Sequence, residues 1–544
     1  MNDFSAVPDA PRSDRPEQVR ALAADLTALD YTVDAVARLL GPEAHDALGR
    51  DQPVPASLVL RENTTPLAVV TRLWLLAEPV PLDALAKALP ASGVDNLLAL
   101  GLIESAHQSA LVRAAVDLRP YGWPADTDGG AGADLWVASD LGAHQRPGVL
   151  RRDHVLGIGR ASLTLAQGTI RRVVGRALDL GTGCGIQTFH LLHHAQSVVA
   201  TDISERALAF TRFNLMLNAA ALGLGPADFD PANPDSRISL RRGSLLEPVQ
   251  GETFDLVVSN PPFVITPRHR GEAPADQFTY RDGGRVGDAI VALLVHDLPA
   301  ILAPGGIAQM LGNWEVGRDD DGAPAPWSAR PRRWVREDVQ AWFIQREQVS
   351  PGTYAETWLQ DASEGRDPAL FAAAYADYLE DFESRHVTGI GFGHILLRRP
   401  VSAATAPEPL GTGTRFEEIL YPIEEPIGPH LADALDREAW LDAHPTLAAE
   451  RLIVAGDVTE ERHQRPGAEH PGVILLRQGA GLRRTVILTT ELAGFVSASD
   501  GDLTVGQLIA ALAALLERDD DAFADGLQDG VRSLVRDGFL LPAE

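Results

Sequence analysis

Apolar and polar positions change rhythm three times along the chain. Residues 17–49 repeat apolar positions at helical spacing, with a break at Gly41-Pro42. Segments 66–77, 81–89 and 93–100 predict three short helices, separated by Pro79, Pro81 and Pro90. They end in Leu100-Gly101-Leu102-Ile103, a helix stop followed by an apolar strand. The pattern predicts an N-terminal helical domain over 1–134, either a winged helix or a generic helical cap. The Gly- and Asp-rich stretch 126–133 closes it.

From residue 135, where Leu-Trp-Val-Ala starts a strand-like pattern, short apolar runs begin to alternate with helical stretches. Strands are expected at 177–180, 198–201, 237–240, 254–259 and 306–311, and helices at 186–195, 205–219 and 287–302. Residues 334–344 and 369–384 read as further helices and 388–398 as a late strand. Such alternation predicts a parallel, doubly wound α/β sheet, here over 135–400. A Pro- and Thr-containing linker at 400–414 leads to a C-terminal accessory domain of mixed α/β type, 401–544. There, 472–477 and 484–489 read as a hairpin and 504–517 as an amphipathic helix. The end, 534–541, repeats the helix–Gly–strand ending of 100–103. It is either a second winged-helix-like unit or the common glycine-closed helix end.

Composition changes this picture in two places. The 544 residues carry a net charge of −28, which argues against a nucleic-acid partner. Resolved by segment, 1–134 carries −9, 135–400 only −5 and 401–544 −14. The excess sits in the flanks, so the objection weakens for the middle. A single cysteine, Cys184, excludes a disulfide framework and a cysteine metal cluster, and no metal site is expected. No run of 18 apolar residues predicts a membrane span. With no signal-peptide pattern at the start, a soluble cytoplasmic protein is expected.

The first chemical motif is Leu178-Asp179-Leu180-Gly181-Thr182-Gly183-Cys184-Gly185-Ile186, between a strand and a helix. Alternate glycines let the backbone turn sharply and approach a ligand closely. A second acid, Asp202, ends the next strand, well placed for both hydroxyls of a ribose. A dinucleotide fold would use Gly-x-Gly-x-x-Gly; this loop is Gly-x-Gly-x-Gly, with an acid two residues ahead that can take an ammonium. The residues resemble the class I S-adenosylmethionine-dependent methyltransferases, with a Rossmann-like sheet. The resemblance implies S-adenosyl-L-methionine as cofactor. It implies that Gly181, Gly183 and Gly185 line the methionine side, Asp179 meets the amino group, Asp202 holds the ribose and Ile203 packs on adenine. Ser244 stands where many relatives carry an acid or amide for the adenine amine. Cys184 reads as a small packing residue.

The second motif is Ser259-Asn260-Pro261-Pro262-Phe263, after a buried strand. Two prolines cannot continue a ladder; they fix the chain and aim the Asn260 side chain and Pro261 carbonyl at the ligand-binding edge of the sheet. Asn-Pro-Pro-Phe resembles the motif of small-domain enzymes that methylate a planar, conjugated nitrogen, a group that includes rRNA guanine and adenine N-methyltransferases and release-factor glutamine methyltransferases. The delocalised lone pair of such an NH2 is a poor nucleophile, and two acceptors holding both N–H groups favour its pyramidalisation. Phe263 is expected to stack on the flat substrate. The preferred target is a base amine in RNA, ribosomal or transfer; the alternative is a glutamine amide in a protein such as a release factor. A third reading is an inactive, cofactor-sensing docking scaffold.

Other residues carry weaker signals. Asn214 and Asn218 share a helix face and either orient the Asp202 loop or face solvent. Thr164 and Gln167 are candidates for closing the cofactor site. Arg268, His269 and Arg270, and the cluster Arg330-Pro331-Arg332-Arg333, could meet phosphates. Tyr280-Arg281-Asp282-Gly283-Gly284 reads as a gating loop or a helix entry. His190, His193 and His194 are expected at the surface.

Overall fold

The computed structural model describes residues 3–543 apart from 107–109, 125–131, 144, 147–149, 231, 234, 269–281, 320, 362–367, 402–412 and 519. The chain divides into two compact units, one of 1–166 with 172–418, the other of 167–171 with 419–544. The N-terminal helices therefore share a unit with the central sheet.

Helices α1 (Pro16–Ala28), α2 (Val33–Leu40), α3 (Pro42–Leu48) and α4 (Val54–Leu60) open the first unit. Next come α5 (Pro66–Trp74), β1 (Val80–Pro81), α6 (Leu82–Ala88), α7 (Gly93–Ala99), β2 (Ile103–Ser105) and β3 (Leu111–Ala114). The three strands pair antiparallel in the order β1-β3-β2. This is the helix–strand–helix–helix–hairpin succession of a winged helix. Strands β4 (Asp117–Trp123) and β5 (Ala133–Ser139) form a separate antiparallel hairpin.

The large sheet follows α8 (Arg160–Gly168). Its strands are β6 (Val174–Leu180), β7 (Ala195–Asp202), β8 (Ile238–Arg242), β9 (Phe254–Ser259), β10 (Leu302–Val316), β11 (Gln340–Val349), β12 (Gly389–Arg398) and β13 (Thr414–Glu418). The spatial order is β13-β11-β12-β10-β9-β6-β7-β8. Strands β8, β7, β6, β9 and β10 run parallel, and β12 runs antiparallel to both neighbours. Counted from β6, the first seven strands lie in the order 3-2-1-4-5-7-6. An all-parallel dinucleotide fold reads 3-2-1-4-5-6, so the antiparallel strand inserted here separates the two architectures. Helices α9 (Ile186–Leu191), α10 (Glu205–Leu217), α11 (Ala289–Asp297), α12 (Ala329–Arg332), α13 (Pro351–Asp361) and α14 (Pro368–Ser384) complete the unit. Its core joins Leu178, Val257 and Met310 of the sheet to Val291 and Leu294 of α11.

One expected element is of the wrong type. Residues 334–344 read as a helix, yet 340–349 form β11, paired with β12 along its length and with β13 on the other side. The run Ala341–Ile344 is buried throughout. A continuous apolar run has no period of its own, so neighbouring strands decide its form.

The second unit contains α15 (Gly428–Ala443), β14 (Arg451–Val454), β15 (Val458–His463), β16 (Val473–Gln478), β17 (Thr485–Leu488), α16 (Thr490–Ser497), β18 (Asp500–Thr504), α17 (Val505–Leu515), α18 (Asp521–Asp537) and β19 (Leu540–Pro542). The helix–strand–helix–helix–strand succession of the first unit recurs from α16 to β19. Here the middle strand between β18 and β19 is β14, drawn from upstream. Local chemistry fixes the helices: Thr504 and Gln507 form a reciprocal cap on α17, and Asp520 accepts the Phe523 N–H at the start of α18. Among the described residues, no helix is long and apolar enough to cross a membrane.

Candidate functional site

The site lies at the carboxyl ends of β6, β7 and β9. Leu180 pairs with Ser259 in register, and the Ser259 hydroxyl donates to the Leu180 carbonyl at 2.8 Å. The chain leaves both strands at one level, so the glycine loop and Asn260 face a common space. That space is a cavity of about 960 Å³, lined by Gly181, Gly183, Asp202, Ile203, Ser244, Asn260, Pro261 and Pro262 among others.

Gly181 and Gly183 hold φ of +79° and +58°, and nothing stands within 4 Å of where a Cβ would project. The backbone is bare toward the cavity there. Gly185 serves differently: a Cβ on it would meet the Thr211 methyl at 3.2 Å. Its missing side chain lets α9 pack on α10, and it does not line the cavity. Asp202 ties β7 to the loop, accepting the Ser204 N–H at 2.8 Å and the Gly183 N–H at 3.1 Å. Burial pushes its carboxyl above the usual range.

Asp179 is 1% exposed and does not line the cavity. Its Oδ2 accepts the Thr182 hydroxyl at 2.7 Å, the Thr188 hydroxyl at 2.6 Å and the Thr188 N–H at 3.0 Å. Burial pushes its carboxyl up to about 6 against these bonds. Asp179 thus braces the glycine loop from beneath. Cys184 is buried and its thiol pushed up to about 12 by burial, which suits packing and not nucleophilic chemistry.

Ile203 is half exposed on the cavity wall, which Ser244 and Leu245 also line. Leu245 holds a left-handed φ of +51°, unusual for a branched side chain. The Asn260 Oδ1 is buried with no hydrogen-bond partner among the described residues. A buried acceptor left open costs about 1–3 kcal/mol, which a ligand donor can recover. Phe263 is placed differently from the expected stacking position: it packs half-buried against the sheet core and does not line the cavity.

Several weaker expectations resolve into structure. Asn214 and Asn218 are buried and face the hairpin, not solvent. His190 is also buried, 2.6 Å from the Tyr121 hydroxyl, because the hairpin covers α9. Residues 157–159, 161 and 162 close the cavity, whereas Thr164 and Gln167 do not line it. Arg268 pairs with Asp282, which also accepts the Thr266 hydroxyl at 2.5 Å and the Gly284 N–H at 2.8 Å. His269, Arg270, Tyr280 and Arg281 lie outside the described residues. Arg330 turns inward onto buried Asp288 at 2.6 and 2.7 Å, and Arg332 lies over the Phe416 ring.

Residue patterns alone missed Asp117, Arg119 and Asp140 on the cavity wall and Tyr354 behind it. Their one signal is alternation in Asp117-Leu118-Arg119, which puts two opposite charges on one strand face.

Strand order, glycine loop and Asn-Pro-Pro-Phe corner together define a class I S-adenosylmethionine-dependent methyltransferase core. Residues 142–276 match the methyltransferase small domain family, and residues 28–115 match a domain of unknown function, DUF7059. The chain is 30% identical to a ribosomal protein uL3 glutamine methyltransferase of Bradyrhizobium diazoefficiens, over 35% of this chain and 54% of that one. It is 33% identical to a release factor glutamine methyltransferase of Moorella thermoacetica, over 26% and 45% respectively. The chain thus spans about half the length of these curated relatives. Among solved structures, a 16S rRNA N2 G1207 methyltransferase of T. thermophilus with AdoMet and guanosine aligns at a TM-score of 0.22 and 18% identity, over 46% of this chain and 61% of that one. The bare glycine backbone, the Asp202 carboxylate and the cavity fit S-adenosyl-L-methionine, the cofactor of this class.

Proposed function

We propose that this chain is an S-adenosylmethionine-dependent N-methyltransferase whose substrate is the side-chain amide of a glutamine in a partner protein. The observation that carries the chemistry is the open, buried Oδ1 of Asn260 beside the Pro261 carbonyl. These two acceptors suit the two N–H bonds of a planar primary amide. Holding both turns the nitrogen lone pair out of conjugation, and positioning then supplies much of the rate. Bound S-adenosyl-L-methionine supplies the methyl group on a sulfonium. Asp202 anchors the ribose, and the bare Gly181 and Gly183 backbone accommodates the methionine chain.

Charge placement favours a protein target over the RNA target preferred from sequence. Phosphate binding needs cations that are not already neutralised. Six arginines of the core are engaged: Arg176 and Arg241 with Glu252, Arg206 with Asp140, Arg242 with Glu205, Arg268 with Asp282 and Arg330 with Asp288. The cavity wall itself carries five acids, Asp51, Asp117, Asp140, Asp202 and Asp282, against two arginines, Arg119 and Arg285. The two curated relatives named above are glutamine methyltransferases, which agrees with this reading.

Tritiated cofactor incubated with extract and the purified chain provides the test. A label sensitive to protease and resistant to nuclease is expected, recovered as methylglutamine after digestion. A nuclease-sensitive label would replace the protein target with RNA.

A further inference from the structure

We propose that the Asp117–Arg119 pair of the β4–β5 hairpin binds the amino-acid end of the cofactor, Arg119 taking its carboxylate and the open Asp117 oxygen its ammonium. This rests on the cofactor reading above.

The amino-acid end of S-adenosylmethionine is a zwitterion, with ammonium and carboxylate bonded to one carbon. It is best met by one cation and one anion close together in a partly dry site. Residues 117 and 119 are two apart on one strand, so their side chains leave the same face. Both line the cavity that also holds Gly181, Gly183 and Asp202. Asp117 is 3% exposed; its Oδ2 accepts from the Arg119 Nε at 3.0 Å, while its Oδ1 is buried without a hydrogen-bond partner among the described residues. The Arg119 side chain remains about a third exposed. The pair is therefore half used: one carboxylate oxygen and part of one guanidinium remain for a ligand.

The hairpin sets this pair over the glycine loop. Asp117 pairs with Ser139, and the adjacent Ala138 is held by Asn214, which also holds the Cys184 carbonyl. Further along the hairpin, Tyr121 meets His190 of α9. A Cβ at Gly157 would stand 2.6 Å from the Ser139 hydroxyl, so the loop closing the cavity also rests on this hairpin. Electrostatic reach agrees: Asp117 raises the Cys184 thiol and Arg119 lowers it, behind the larger effect of burial. The loop's own acid, Asp179, commits its Oδ2 to Thr182 and Thr188; its Oδ1 is buried without a hydrogen-bond partner among the described residues, but Asp179 lies off the cavity wall, whereas Asp117 lines it. Asp117 and Arg119 fall between the two family matches, which end at 115 and begin at 142. Neither match assigns them a role.

The test compares two ligands by calorimetry on the full chain. S-adenosylhomocysteine has the amino-acid end; 5′-methylthioadenosine has the same nucleoside and thioether without it. Arg119→Gln is expected to weaken S-adenosylhomocysteine about 10- to 100-fold, the loss of a charge-assisted contact, and to leave methylthioadenosine within about twofold. Arg119→Lys should restore part of the loss. Retained methylthioadenosine binding is the control for folding. Unchanged binding of both ligands, or equal loss of both with the Asp117→Asn/Arg119→Gln double variant behaving alike, overturns the assignment. An independent arm uses the unaltered chain with decarboxylated S-adenosylhomocysteine: affinity equal to that for S-adenosylhomocysteine also overturns it. If the unaltered chain binds neither nucleoside, the cofactor reading itself fails.

Discussion

The Asn214 amide nitrogen donates to the Cys184 carbonyl at 2.9 Å and to the Ala138 carbonyl at 2.9 Å, while its oxygen accepts the Ala138 N–H at 2.8 Å. One buried side chain on α10 thus clamps the glycine loop to β5. Its neighbour one turn on, Asn218, holds the hairpin through both backbone groups of Trp136 at 2.8 and 2.7 Å and donates to the Asn214 carbonyl at 2.7 Å, with no hydrogen bond to the glycine loop. The two residues make a controlled comparison. Asn214→Leu orphans buried backbone groups on both sides and is expected to cost about 3 kcal/mol and to weaken cofactor binding at least about tenfold. Asn218→Leu should cost a similar amount in urea denaturation yet leave cofactor affinity close to that of the unaltered chain. Equal effects of both substitutions on affinity would remove the special role of Asn214.

Asn260→Ala separates binding from transfer. Asn260 lines the cavity, and among the described residues no hydrogen bond engages its Oδ1. The substitution should leave calorimetric cofactor affinity within about twofold while methyl transfer falls by 100-fold or more, roughly the loss of one positioned acceptor at a reacting centre. Normal turnover in this variant would show that the Pro261 carbonyl alone suffices.

The glycine loop and the Asn-Pro-Pro-Phe corner were legible because each is a short run whose backbone is dictated locally. Gly181 and Gly183 need left-handed φ, and two prolines fix their own torsions. The parallel strands at their carboxyl ends were legible for the same reason: 254–259 lies where its pattern puts it. What could not be read depends on partners distant in sequence. The 340–349 segment is a strand only because β12 and β13 flank it. Asn214 and His190 are buried only because the hairpin 117–139 folds over α9 and α10. Phe263 sits on the sheet core because the buried cluster built from the strands and α11 offers it an apolar surface. The acid Asp179 has the right type and spacing for an ammonium, but its orientation is set by two threonines that no spacing rule identifies.

A second positioning effect lies behind the substrate side. The Tyr354 hydroxyl accepts the Ile265 N–H at 2.8 Å, two residues beyond Phe263, and receives the Asn313 amide at 3.2 Å. Burial holds its phenol far above its usual range, so it stays neutral. Tyr354→Phe leaves a buried N–H without an acceptor and should destabilise the chain by about 1–2 kcal/mol. It is expected to lower kcat about tenfold with little change in cofactor affinity, because it frees the segment after Asn-Pro-Pro-Phe and not the glycine loop. A loss confined to cofactor affinity would contradict that placement.

Asp179 gives a pH signature independent of activity. Its carboxyl is raised from 3.8 to about 6, chiefly by burial, with three hydrogen bonds opposing. Between those values the folded chain binds a proton that the unfolded chain has released, so stability falls as pH rises. The favourable contribution is complete below about 4, is lost through about 6 and stays lost above. Two units correspond to about 3 kcal/mol, an upper figure for a fully buried group. Asp179→Asn keeps the shape and removes the titration. The stability of the unaltered chain minus that of the variant, from urea denaturation at a series of pH values, should therefore decline from pH 4 to 6 and flatten beyond 7. A flat difference across this range would mean that the Thr182 and Thr188 hydrogen bonds fully offset the cost of burying the carboxylate.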